Sequence, residues 1–385
     1  MKIAIFTNNY LPNPYGVSTS VEGFRLSLIK KGHTVYVFAP EWFERVTKDE
    51  KNIFRYPAIK APTKIDFSLV VPFSSYIDAQ IAEMDFDIIH AQHPNLLGIT
   101  AKRWARKKSI PLVFTWHSLY DRYAHYMPFV PEKISAHIAM KNAASFAKQA
   151  DCIIAPTDAI TSLIKKVGVN SHRINVVESG VDEKLFANPN GKNIRRKHKI
   201  ADNAIVLVTV SRLTEEKNVL FLAKQVANVL AQNDNIVFLC CGEGDQKCEM
   251  KKIFIEEGVL DKVIFTGKIA RDVVKNYLAA GDIFVYASTS ETQGTIVTEN
   301  MYIGRPIVGV GINGVGSLIE DEKSGLLTKE DDSFSYNIQR LIDDETLRNR
   351  IGKESYVIAR EKYTSDKCAE KLFSVYEKTI TEFKR

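Results

Sequence analysis

Short runs of β-branched and aliphatic residues alternate with longer stretches of helical periodicity along nearly the whole chain, and this alternation constrains the fold more than any other feature. In the first half the runs are Lys2 to Thr7, Val35 to Ala39, Phe86 to Ala91, Leu112 to His117, Cys152 to Thr157 and Ile174 to Gly180. In the second they are Ala204 to Ser211, Ile236 to Gly244, Lys262 to Gly267, Ile283 to Ser288 and Pro306 to Gly311. Most are apolar almost throughout, as strands covered by helices on both faces are, so the pattern predicts parallel sheets built from strand-helix-strand units. With 45% hydrophobic and 25% charged residues, neither a disordered chain nor a coiled-coil rod fits.

At 385 residues the chain can bury more than one such core. Asp182 to Asn203, with ANPNG and the basic, apolar-poor NIRRKHK, reads as a linker and domain edge. The expected architecture is α/β, with doubly wound Rossmann-like domains over residues 1–185 and 186–369. A last helical stretch, 370–385, carries the apolar stripe Leu372, Val375, Tyr376 and Ile380, which needs a partner surface. Many strands end in a polar residue or glycine, among them Thr7, His117, Thr157, Ser211, Gly242 and Ser288. Ligands of open α/β sheets bind beyond the strands' carboxyl ends, so two such domains facing a central cleft would surround the chemistry with these residues.

The formal charge of +6 is too mild for a nucleic-acid binder, but it suits anionic small molecules or an anionic membrane surface. Five cysteines without framework spacing fit a reduced, cytoplasmic compartment. The amino terminus lacks a signal-peptide core, and no apolar run approaches ~18 residues, so any membrane contact is expected to be peripheral.

Several segments point to an anionic ligand. Gly16 stands in a turn before a helix, where free backbone N–H groups can face an anion; Ser18 or Thr19 as a plain cap is the alternative. In SRLTEEKN, Arg212 and Lys217 leave a strand end at a spacing that can converge two cations on one diphosphate, although such a loop is often only solvated. In ASTSETQGTIVTEN, Glu291 lies before a helix and Glu299 about two turns into it, so the pair can address separate groups of one ligand. Gly294 and Thr295 mark the helix start, which favours phosphate. His117 closes LVFTWH as a site residue or a strand-end filler, and His90, His93 and His125 complete no recognisable metal-ligand spacing, so no metal is expected.

Two further segments concern an acceptor. AKRWARKKS gathers Lys102, Arg103, Arg106, Lys107 and Lys108 around Trp104, either a solvated helix face or a stripe for anionic lipid headgroups. The aromatic run Tyr120, Tyr123, Tyr126, Met127 and Phe129 is either packing or the wall of an apolar site. GVGING, Gly309 to Gly314, matches a dinucleotide fingerprint and keeps an NAD-dependent dehydrogenase as a rival, but it follows a late strand, and Glu320 and Asp321 come much sooner than the expected ribose-binding acid.

As a set, Gly16 after the first strand, FTWHS, SRLTEEKN and SETQGTIVTEN resemble, in this order and over essentially the whole chain, the family 4 retaining glycosyltransferases of the GT-B fold. FTNNYLPNPYGVSTSV, HAQHPNLLG and TWHSLYDRYAHYMP are further similar to the diacylglycerol glucosyltransferases, with phosphatidylinositol mannosyltransferases as more distant relatives. The resemblance implies that Arg212 and Lys217 bind the donor diphosphate, Glu291 the donor sugar and Glu299 the ribose. Gly16 would admit the diphosphate, and His117 would lie near the reacting carbon. It also implies a last helix packed back on the first domain, and a glycine loop shorter than the GVGINGVGS present here. The implied reaction moves glucose from UDP-glucose to a membrane lipid such as 1,2-diacylglycerol, forming an α-bond with no metal or other cofactor, at the inner face of the cell membrane. Transfer from GDP-mannose or another UDP-sugar to an inositol lipid or soluble acceptor is the rival within this class. A non-catalytic sugar-nucleotide binder is a further rival, which retention of Arg212, Lys217 and Glu291 argues against.

Overall fold

The computed structural model describes residues 1–13, 16–42, 51–60, 68–120 and 132–385. By internal contacts the chain divides into two units, Met1–Gly180 with Ser365–Arg385, and Val181–Thr364.

In the first unit the strands are β1 (Lys2–Phe6), β2 (Thr34–Pro40), β3 (Ile53–Tyr56), β4 (Ala58–Lys60), β5 (Ser68–Val70), β6 (Ile88–Ala91), β7 (Leu112–Thr115), β8 (Cys152–Ala155) and β9 (Ile174–Val176). Helices α1 (Gly16–Lys30), α2 (Ser75–Glu83), α3 (Leu97–Lys108), α4 (Glu132–Ala147) and α5 (Asp158–Lys166) alternate with them. Among the described residues the main sheet runs β3-β2-β1-β6-β7-β8-β9. All its pairings are parallel, with Ile3 opposite Val35 on one side and Ile88 on the other. The central strands β6, β7 and β8 are buried along their whole length, which is why they read as continuous apolar runs.

The second unit holds α6 (Gly191–Lys197), β10 (Ile205–Val210), α7 (Val219–Gln232), β11 (Ile236–Cys241), α8 (Lys247–Glu256), β12 (Val263–Gly267), α9 (Val274–Ala280) and β13 (Ile283–Tyr286). It continues through α10 (Thr295–Ile303), β14 (Ile307–Val310), α11 (Asn313–Leu318), β15 (Leu326–Thr328), α12 (Ser333–Asp343) and α13 (Glu345–Lys362). Its parallel sheet is ordered β12-β11-β10-β13-β14-β15, with apolar clusters on both faces.

The final helix, α14 (Ser365–Phe383), begins at Ser365 rather than near residue 370. Its buried Ala369, Leu372 and Tyr376 join Ile3, Val35, Ile88 and Val113 in one core of the first unit, with Val375 and Ile380 partly buried against it. This supplies the partner surface that the apolar stripe requires.

Some elements differ from the sequence reading. The first five residues of NIRRKHK are not open linker but belong to α6: Arg195 forms a 2.5 Å ion pair with Asp282 and donates to the carbonyls of Ala280 and Ala204. The edge strands β3 and β15 and the antiparallel hairpin β4–β5 are too short, or too exposed, to leave an apolar signal. Among the described residues, no helix is long and apolar enough to cross a membrane.

Candidate active site

Each sheet reverses its strand order once, and the singled-out residues gather there. In the second unit the reversal lies between β10 and β13. Arg212 and Lys217 follow β10, while Glu291, Gly294 and Thr295 follow β13. In the first unit it lies between β1 and β6, whose ends lead to Asn8 and Gly16 and to Gln92 and His93; His117 follows the adjacent β7. A crevice opens at such a point because the chain leaves neighbouring strands toward opposite faces of the sheet.

In the second unit the cations are held by carboxylates. Arg212 pairs with Glu216 at 2.7 Å, and Glu216 is buried. Lys217 forms a buried ion pair with Glu291, whose Oε1 also accepts from the hydroxyls of Tyr286 (2.6 Å) and Ser288 (2.9 Å). Burial alone would raise the Glu291 carboxyl, but the Lys217 charge and these hydrogen bonds outweigh it and hold the group below its usual range. Gly294 takes φ +86° at the position before α10, a conformation that favours glycine, and Thr295 is the first helical residue. In the second turn of α10 sits Glu299, gripped at both oxygens by the guanidinium of Arg271. Tyr286, Glu216 and Arg271 escape sequence reasoning: Tyr286 and Glu216 lie only 5 and 4 residues from Glu291 and Arg212 but no motif singles them out, and Arg271 lies 28 residues from Glu299.

Around the first unit's strand ends, His117 Nε2 lies 2.6 Å from Gln92 Oε1, and the backbone N–H of Asn8 donates to His93 Nδ1 at 3.1 Å. Asn8 Oδ1 accepts from the N–H of Leu97 at the start of α3, joining the loops after β1 and β6. His90 bonds Tyr376 Oη through Nδ1 and Thr115 Oγ1 through Nε2, each at 2.6 Å. Burial, with a smaller contribution from His93 and His90, keeps the His117 imidazole well below its usual range and therefore neutral. At the start of α1, the Thr19 hydroxyl donates to the carbonyl of Gly16 at 3.0 Å.

The basic stripe needs correction. Trp104 is 3% exposed, belongs to the core, and donates through its indole N–H to Asp78, so it is no interfacial anchor. Arg103 is ion-paired with Asp78 at 2.7 Å, and Lys108 donates to the carbonyls of Ala82 and Met84 at the end of α2. Lys102 and Arg106 share the side-chain oxygen of Gln149. Tyr120, half-buried, packs edge-on against Trp116 beside the core. Tyr126, with Tyr123, His125, Met127 and Phe129, lies outside the described residues.

GVGING serves the second unit's own loops. Gly314 donates its N–H to the Glu291 carbonyl at 2.9 Å, and a Cβ there would stand 2.7 Å from the Gln293 backbone. Asn313 donates its side-chain amide to the Thr289 carbonyl. The glycines thus let two loops close on each other. Among the described residues no three His, Cys, Asp or Glu side chains are grouped to hold a metal ion.

Two Rossmann-like units, one with paired cations and carboxylates at its strand switch point, define an enzyme that handles a nucleotide-linked substrate. Comparison with known proteins bears this out. Residues 14–185 match the model for Glycosyltransferase Family 4, and residues 190–357 match that for Glycosyl transferases group 1. The alpha-monoglucosyldiacylglycerol synthase of Streptococcus pneumoniae is 30% identical over 85% of this chain and 75% of its own length. The synthase of the same name from Acholeplasma laidlawii is 24% identical over 93% and 92%. Anabaena HepE, solved in complex with UDP, superposes with a TM-score of 0.77 at 19% identity, over 98% of this chain and all of that one. The chain belongs to the family 4 glycosyltransferases, hexosyltransferases of the GT-B fold that use nucleotide sugars. The dehydrogenase reading of GVGING falls with that assignment.

Proposed function

We propose that the enzyme transfers glucose from UDP-glucose to the hydroxyl of a membrane lipid such as 1,2-diacylglycerol, with retention at the anomeric carbon and without a metal or other cofactor. The observation that carries this reading is the likeness, along most of the chain, to two synthases named for that lipid product.

In this reading Arg212, Lys217 and the N–H groups at Gly294 and Thr295 take the diphosphate. Fixed charge aimed at the leaving group does the work of a metal, because it requires no reorganisation as charge develops. Glu291 accepts the sugar hydroxyls, Glu299 a ribose hydroxyl, and the glycine at 16 admits the diphosphate to the first unit's loop. His117, neutral and anchored by Gln92, contacts the sugar near its reacting carbon. The bond from the anomeric carbon to the diphosphate breaks through an oxocarbenium-like transition state, and the acceptor oxygen bonds that carbon from the same face. The acceptor's proton passes to the departing phosphate oxygen, so no covalent carboxylate is needed.

A lipid acceptor requires approach to a bilayer at the inner face of the cell membrane. Support comes from α3, where Ile99, Lys102 and Arg106 recur at helical spacing on the side opposite the buried Trp104. The Pro72 carbonyl accepts from Thr100 Oγ1 at 3.1 Å, which ties the segment before α2 to α3, and Phe73 in that segment and Tyr76 at the start of α2 are 68% and 73% exposed. Apolar tips flanked by cations suit an anionic lipid surface.

The test is incubation with labelled UDP-glucose, UDP-galactose and GDP-mannose in the presence of vesicles containing diacylglycerol. The expected result is label from UDP-glucose in an α-linked, solvent-extractable lipid. Transfer only from GDP-mannose, or only to a water-soluble acceptor, overturns it.

A further inference from the structure

Arg271 lies in the turn between β12 and α9, within a segment no motif marks. Its guanidinium forms a two-pronged fork on Glu299, with Nη1 donating to Oε2 at 2.6 Å and Nη2 to Oε1. The Glu299 side chain is 4% exposed, and the guanidinium carbon stands 5.1 Å over the ring of the buried Phe186. A buried ion pair of this kind roughly breaks even in stability, because both charges lose their water. Its structural consequence is clearer than its energy: a carboxylate offers about four lone-pair directions, and a fork on both oxygens fixes its plane and occupies two of them. The two remaining directions, one on each oxygen, point to opposite sides of the carboxylate, so the fork leaves an oxygen aimed to accept from one ring hydroxyl rather than to chelate a neighbouring pair. Stacking on Phe186 prevents the guanidinium from turning with the carboxylate.

We infer that Arg271 is a positioning residue that sets Glu299 to receive a hydroxyl of the donor's ribose, and so makes the enzyme select ribonucleotides over 2′-deoxyribonucleotides. This rests on the reading of Glu299 as the ribose-binding carboxylate. Lysine cannot replace the fork: an ammonium supplies charge at one point and leaves the carboxylate plane free to rotate.

The experiment measures binding of UDP and 2′-deoxy-UDP to the full-length protein by calorimetry, for the wild type and for Arg271→Gln, Arg271→Lys and Glu299→Gln. The wild type should prefer UDP by about 10-fold or more, since a site built around a hydroxyl is left with unpaired groups by its loss. Arg271→Gln should reduce that preference to within about twofold, as should Glu299→Gln. Arg271→Lys keeps the buried charge compensated and should remain folded with its preference reduced several-fold, so a folding defect in Arg271→Gln does not remove the test. A merely structural role would lower both affinities together and leave their ratio unchanged. Preference lost in Glu299→Gln but kept in both Arg271 variants overturns the inference alone. A wild type indifferent to the 2′-hydroxyl overturns the ribose reading of Glu299 and the inference with it.

Discussion

The ammonium of Lys217 and the carboxylate of Glu291, 74 residues apart in sequence, meet as a buried ion pair at the junction of β10 and β13. Lys217, Tyr286 and Ser288 all donate to Oε1 of the Glu291 carboxylate. The pair therefore does two things. It keeps the acid ionised against the cost of burial, and it anchors one oxygen so that the orientation of the other is set before any ligand arrives.

Lys217→Ala removes a cation aimed at the leaving diphosphate and should lower turnover by about 100-fold or more, as should Arg212→Ala. Both variants should also lose stability. Lys217 is 10% exposed, and its loss strands the Glu291 charge, so the variant should lose about 3 to 5 kcal/mol in a urea titration. Arg212 is 35% exposed, but its loss removes the ion pair of the buried Glu216 and should be destabilising as well. Adding Glu291→Gln to Lys217→Ala should restore stability while leaving activity low. A double variant no more stable than Lys217→Ala would show that the two residues are not energetically coupled.

Metal independence is the second prediction. If Arg212, Lys217 and the start of α10 neutralise the leaving group, turnover should persist in excess EDTA and be indifferent to added magnesium or manganese. Activity abolished by chelation and restored by one metal would transfer the charge-stabilising role from these side chains to the ion.

Strand ends carried most of what the sequence disclosed. Arg212, Lys217 and Glu291 stand out because each follows an apolar run within a few residues, and position beyond a strand is legible where strands are buried on both faces. The partners of Glu299 and His117 were not legible. Arg271 is 28 residues from Glu299, and Gln92 is 25 from His117, distances over which a single sequence records no proximity. Trp104 was misplaced for another reason. A helix with cations at 102, 103 and 106 to 108 shows which side faces water, but an aromatic residue at 104 fits either the boundary or the core, and only its bond to Asp78 decides. NIRRKHK hid a helix because α6 buries little beyond Ile194 and docks through the polar reach of Arg195.

Acid should destabilise the first unit. Burial depresses His90 from 6.5 to about 3 and His93 to about 4, so both are neutral in the folded protein and protonate near 6.5 when it unfolds. Their stabilising contribution is complete above pH 6.5 and is lost as pH falls through the window toward those depressed values, at about 1.4 kcal/mol per pH unit for each. His90 also joins α14 to β7 through Tyr376 and Thr115. Thermal midpoints taken from pH 7.5 to 4.5 should fall steeply for the wild type. His90→Gln should start lower and decline less. Parallel curves would mean that His90 does not titrate on unfolding.

The last prediction concerns the bilayer, and the structure narrows the residues on which it rests. Arg103 already faces Asp78, and Lys108 is consumed by the end of α2, which leaves Lys102, Arg106 and Lys107 facing no carboxylate among the described residues. At about 1 kcal/mol each near an anionic surface, these three favour docking by on the order of a hundredfold, an effect that salt should erode. Phe73, Tyr76 and Ile99 add apolar contact that salt should not weaken. The protein should therefore sediment with vesicles containing phosphatidylglycerol more than with neutral ones, and less as salt rises. Lys102→Gln, Arg106→Gln and Lys107→Gln combined should remove the lipid-charge dependence and leave a weak, salt-insensitive remainder, which Phe73→Ser, Tyr76→Ser and Ile99→Ser should then abolish. UDP binding serves as the control for folding in both sets. If the sixfold variant still sedimented with anionic vesicles as the wild type does, α3 and the Phe73 loop would be an ordinary solvated surface, and the route to a lipid acceptor would have to lie elsewhere on the chain.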